Sequence, residues 1–194
     1  MSLLKFILLT TLLALLPQTY LVAQTAGSPA PAENFSTGQV VANEPSLGDY
    51  YDKRQFDDWT LRCVKTEGSV DPCQLFQLML NATGTPVAEF NLNIIEANGV
   101  VVAGANVITP LETLLTAQLK IQIDDTNAKA YPFAFCMQMG CVARIGLTQE
   151  DLASYRAGNA ATVTMVPAGA PNRQEILKLS LKGFTAGHNA LMSN

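Results

Sequence analysis

Apolar and polar residues alternate with period two along most of the chain downstream of residue 56. Trp59-Thr60-Leu61-Arg62-Cys63-Val64 and Cys73-Gln74-Leu75-Phe76-Gln77-Leu78-Met79-Leu80 open the series. Val87–Ile95 follows Pro86, and the Asn98-Gly99 turn precedes Val100-Val101-Val102. Leu119–Asp124 alternates cleanly and ends on the turn residues Asp125-Thr126-Asn127. Phe133–Cys136, Cys141–Ile145, Thr162–Val166 and Glu175–Leu181 complete the set. Successive side chains on a strand face opposite sides, so alternation marks strands with one face buried. Short strands with frequent turn signals predict a mainly β fold: an antiparallel sandwich or partly closed barrel of about eight or nine strands.

Two helices interrupt the pattern. Thr148 is a good N-cap, Asp151 stands at the capping-box position and Gly158 follows the end, so residues 149–157 are expected to be helical. A short closing helix is expected over Phe184–Met192, weakened by roughly 1 kcal/mol at Gly187 relative to alanine.

The N-terminus has a different texture. Lys5 precedes the apolar run Phe6–Leu16, Pro17 breaks it, and Leu21-Val22-Ala23 offers a small residue for cleavage after Ala23. This is the layout of a secretory signal peptide over residues 1–23, and the run is shorter than the roughly 20 residues a membrane span needs. Residues 24–55 are rich in Ala, Pro, Ser and Gly, which reads as a flexible leader. Tyr50-Tyr51 is the one aromatic cluster there that could order on a partner. Residues 56–194 are then one domain, long enough for a hydrophobic core.

Composition narrows the function classes. Loss of Lys5 with the signal leaves 11 basic against 16 acidic residues. Without clustered Lys and Arg there is no footprint for nucleic acid or anionic lipid. Cys63, Cys73, Cys136 and Cys141 allow three disulfide connectivities. The local pairs Cys63–Cys73 and Cys136–Cys141 each flank a predicted hairpin or tight turn, so they read as staples in an oxidising compartment. A thiol-redox pair is the rival reading, without Cys-x-x-Cys spacing. Zinc is disfavoured by a single histidine.

Residues suited to catalysis are few. His188 has no neighbouring acid or nucleophile and reads as a solvated helix residue. Asp57-Asp58 and Asp124-Asp125 are adjacent pairs, which strand geometry sends to opposite faces. The Asp124–Asn127 turn fits no calcium-loop template. Asn34-Phe-Ser36 and Asn81-Ala-Thr83 match the glycosylation acceptor pattern, relevant only in a eukaryotic secretory pathway. Trp59 reads as a core anchor whose indole N–H needs a partner. No catalytic residue, cofactor site or metal site is assigned.

Three blocks resemble the invasion-associated locus B family of bacterial exported proteins. They are Phe56–Cys63, similar to that family's Phe-x-Asp-Trp-x-x-x-Cys; Tyr131–Cys136 through Gly140–Arg144; and Leu179–Ala186, similar to its Ser-Leu-x-Gly-Phe-Thr-x-Ala. One departure is informative. Where the family usually carries Pro-Leu-Gly…Gly-Leu, this chain reads Pro110-Leu111-Glu112 and Gln118-Leu119, so Glu112 and Gln118 replace glycines. The resemblance implies a protein of the periplasm or cell surface of a Gram-negative bacterium, linked in some members to host-cell entry, with no catalytic residues. The expected function is surface binding of a protein or envelope component without enzymatic activity. A periplasmic hydrolase or thiol-redox enzyme is the alternative.

Overall fold

In a computed structural model, the structure describes residues 36–39, 44–96 and 99–194. The signal segment, its cleavage site, half of the leader and Asn98 lie outside the described residues. Eleven strands and two helices are present among those described.

The strands are β1 (Tyr50–Phe56), β2 (Trp59–Val64), β3 (Cys73–Leu80), β4 (Pro86–Asn93), β5 (Val101–Thr109), β6 (Leu119–Ile123), β7 (Lys129–Tyr131), β8 (Phe133–Met137), β9 (Gly140–Thr148), β10 (Ala160–Met165) and β11 (Glu175–Ser180). The helices are α1 (Gln149–Ala157) and α2 (Phe184–Met192). All pairings are antiparallel, in the spatial order β7-β6-β10-β11-β3-β4-β5-β9-β8, with β1-β2 branching from β3. The two ends of that order are consecutive in sequence. β7 pairs with β6, Pro132 interrupts the chain, and β8 pairs with β9, so one bent segment nearly closes the sheet into a barrel.

The inward faces follow the predicted alternation. Leu75 and Met79 on β3, Ala88, Phe90 and Leu92 on β4, and Leu177 and Leu179 on β11 belong to a single buried core. Each fully buried large apolar side chain contributes about 1.5–3 kcal/mol. Both helices lie against this face. Trp59 meets Phe90 and Phe184 edge-on, with ring centroids 5.8 and 5.2 Å apart, and Tyr155 of α1 contacts Phe90 and Phe184. Thr148 and Asp151 form a reciprocal capping box, which fixes the start of α1.

Three features differ from the expectation. β1 begins at Tyr50, so the leader boundary at residue 55 falls inside a strand. Its polar run Asp52-Lys53-Arg54-Gln55 carries no apolar alternation. Backbone pairing to β2, the Arg62–Asp52 ion pair and the Tyr51 hydroxyl donated to Asp71 hold it instead. β1 and the three-residue β7 raise the strand count above nine. β5 extends to Thr109, because small residues such as Ala103, Gly104 and Ala105 hide its alternation. His188 is buried rather than solvated, packed against Phe184 and bonded through Nδ1 to the Arg156 guanidinium at 2.9 Å.

Candidate functional site

β3 has two neighbours along the same edge. Its first half pairs with β2, from Cys73 to Phe76, and its end meets β11 through Leu80 and Lys178. Between them the ladder is interrupted, and the Gln77 side chain bridges the gap. Gln77 Nε2 donates to the Ser180 carbonyl at 3.0 Å, and Gln77 Oε1 accepts from the Ser180 N–H at 2.7 Å. The amide thus substitutes for a missing strand neighbour, satisfying buried backbone groups that would otherwise be orphaned. The Trp59 indole N–H, which needed a partner, donates to the same carbonyl at 2.9 Å.

Outside this clasp lies a cleft of about 660 Å³. Its floor is the outward face of β3: Phe76, Leu78 and Leu80, the last two 45% and 40% exposed. Asp57, Asp58, Lys178 and the Asn81–Gly84 turn stand around it. Phe76 is shielded on one side by the Arg62 guanidinium, 3.6 Å from the ring centroid. An exposed apolar floor with polar groups around it is the usual make-up of a binding site.

The acidic pair forms the two-residue turn between β1 and β2 rather than lying on a strand. Alternation therefore does not send it to opposite faces, and both members border the cleft, each with its own partner. Asp58 accepts the Ser180 hydroxyl at 2.6 Å, while Asp57, at φ 49° in the β1–β2 turn, faces Lys182 at 3.3 Å. Ser180 and Asp58 form a hydroxyl–carboxylate pair, but His188 does not line the cleft. Asp124 turns inward on its own chain, accepting the N–H groups of Asn159 and Ala160, which lower its pKa below the ordinary carboxylate range. It fastens a turn. Asn81 Oδ1 likewise accepts from Thr83 and Thr85 at one end of the cleft. Among the described residues no three His, Cys, Asp or Glu side chains gather as a metal site.

Two disulfides fasten the frame. Cys63–Cys73 joins opposed residues of β2 and β3 beside the fork, and Cys136–Cys141 joins opposed residues of β8 and β9. Near the first, Asp71 accepts from the Thr66 N–H, the Tyr51 hydroxyl and the Thr66 hydroxyl, which hold its carboxyl well below the usual range. The roles of Gln77, Leu78, Leu80 and Ser180 do not follow from the sequence pattern. One signal points toward them: β3 is apolar on both faces, which a single buried face does not explain.

The frame defines a class: a small, nearly closed antiparallel barrel with two packed helices, two hairpin disulfides and a cleft at a forked strand. The chain belongs to the invasion-associated locus B family, whose description, Invasion associated locus B (IalB) protein, matches residues 59–192. Invasion protein B homologues of Brucella abortus, from strain 2308 and from biovar 1 strain 9-941, are each 29% identical over 132 residues, covering 68% of this chain and 73% of theirs. The crystal structure of invasion associated protein B from Bartonella henselae shares the fold, with a TM-score of 0.60 and 23% identity, over 72% of this chain and 94% of that one. Among the described residues no helix is long and apolar enough to cross a membrane.

Proposed function

We propose that this chain is an exported, non-enzymatic binding protein of the bacterial envelope, which engages a protein or envelope partner through the fork cleft. The observation that carries the reading is the exposed apolar floor of Leu78 and Leu80 on a strand whose other face is already buried in the core. Such a face has no structural need to be apolar, and its burial by a partner would recover the hydrophobic free energy left exposed. The signal-like N-terminus and the paired cysteines support export, with cleavage after Ala23. The names of the Brucella and Bartonella relatives support a part in host-cell entry; envelope maintenance is the other role such a binding surface could serve.

The test is site-directed photo-crosslinking in intact cells, with a photoreactive phenylalanine analogue at Leu78 or Leu80. The expected result is one recurrent adduct from these positions and none from a control at exposed Lys120 on β6. Leu78→Asp combined with Leu80→Asp should abolish it while leaving the thermal melt near wild type. Adducts formed equally at Lys120, or unchanged binding by the double variant, would overturn the cleft as the partner site.

A further inference from the structure

A second pocket, of about 300 Å³, lies where the barrel closes, between β6, β7 and the first turns of α1. Its polar lining includes Asn127, Lys129, Tyr131, Asp151, Ser154 and Tyr155. The floor contains an anomaly. Tyr155 is 2% exposed, and its hydroxyl has no hydrogen-bond partner among the described residues. Native structures satisfy nearly all such groups, and an exception calls for an explanation. The ring is held from the core side by Phe90 and Phe184. Tyr155 lines the pocket beside Tyr131 and Asp151, and burial first, then these two neighbours, raise its hydroxyl's pKa.

The charges of the pocket select the ligand class. Lys129 is paired with Asp151, whose other oxygen accepts from the N–H and hydroxyl of Thr148. Glu150, the other charged lining residue, is exposed to solvent. A charged ligand seated on buried Asp151 would therefore have to break its pair with Lys129 or bring in uncompensated charge, both costly near a low-dielectric wall. A neutral polyhydroxyl ligand can use the spare lone pairs of Asp151, the remaining N–H groups of Lys129 and the Asn127 amide without disturbing them. Half-buried Tyr131 offers an aromatic face beside these groups. We propose that the pocket bounded by Lys129, Tyr131, Asp151 and Tyr155 binds a neutral sugar residue, with the Tyr155 hydroxyl bonding one of its hydroxyls. This site is separate from the fork cleft and does not rest on the partner-binding reading.

The experiment is a titration of the ¹⁵N-labelled, oxidised protein with neutral monosaccharides (glucose, galactose, mannose and N-acetylglucosamine), with glycine as the zwitterionic comparator. At least one sugar should move the amide signals of Lys129, Tyr131 and Ser154 saturably, and glycine should not. Tyr155→Phe, which keeps the ring, should weaken that sugar about five- to tenfold, the worth of one hydrogen bond. Tyr131→Leu should weaken it comparably and decides the matter if the first variant fails to fold. No sugar-induced shift at these amides, shifts by glycine alone, or undiminished binding by the folded variants would overturn the proposal.

Discussion

Gln118 stands where the resemblance to the invasion-associated locus B family leads one to expect glycine, and its backbone shows what a side chain costs there. It closes the short 3₁₀ turn Leu115–Ala117 with φ 59° and ψ 160°, just before β6. For a residue with a Cβ this region is nearly forbidden, and occupying it costs on the order of 1–3 kcal/mol. Gln118 is exposed, and its N–H donates to the Leu115 carbonyl. Replacing it with glycine would relieve the strain and keep that bond. Against this stands the greater freedom of glycine in the unfolded chain, about 0.4–1 kcal/mol. Relief of strain outweighs that freedom, so Gln118→Gly should stabilise the domain by roughly 0.5–2 kcal/mol, raising Tm by about 2–4 °C per kcal/mol for a chain of this size. Gln118→Ala keeps the Cβ and therefore the strain, so it should stay within about 0.5 kcal/mol of wild type. The assay is thermal and urea unfolding of the oxidised protein followed by near-ultraviolet circular dichroism, with the urea m-value unchanged. A lower Tm for the glycine variant, or an equal rise for the alanine variant, would refute the reasoning.

The reverse holds at Gly187, where Gly187→Ala would gain about 1 kcal/mol of helix propensity but place a Cβ 2.6 Å from Cδ1 of fully buried Leu75. Overpacking of about 1–3 kcal/mol should win; the melt should show a net loss near 1 kcal/mol, partly recovered by adding Leu75→Val. His188 gives a pH signature, because burial and then Arg156 lower its pKa below the usual 6.5. A depressed histidine contributes stability that is present above pH 6.5 and is lost as pH falls toward the folded-state value. Asp71, Asp124 and Asp151 are also depressed, but from 3.8, so their contributions are lost only in stronger acid. Urea midpoints should therefore fall between about pH 6.5 and 5 in wild type and stay flat there in His188→Gln; equal slopes would show that His188 is not the sensor.

Much of the frame was legible in the sequence because its determinants are local. Thr148 and Asp151 announce α1 within four residues, and the core faces of β2, β4, β6 and β11 show in their alternation. β1 was not legible, because a polar edge strand is held by pairing and ion pairs rather than by apolar periodicity. Nor was the surrounding of His188. The helix pattern gives the ring a position on α2, but its burial depends on Arg156, 32 residues earlier. The cleft was hidden for a similar reason. Cys73–Leu80 shows apolar residues on both faces, but only the approach of β2 and β11 to one edge of β3 decides that the second face is left uncovered.

That topology also explains where binding surfaces can form on this molecule. A nearly closed barrel leaves few free strand edges, here the polar β1 among them, and its small interior is filled by side chains. Among the described residues, two of its recesses lie where neighbouring strands part: the fork of β3 and the seam around Pro132 where β7 passes into β8. The three motif blocks fall on the same two places. Phe56–Cys63 and Leu179–Ala186 meet at the fork, where Trp59 and Ser180 are joined by a hydrogen bond, and the block from Tyr131 to Arg144 builds the seam and its disulfide hairpin. Residues that fasten an opening also shape it. The family pattern therefore follows the irregular parts of the barrel, where a recess and the bonds that hold its walls are made by the same few side chains.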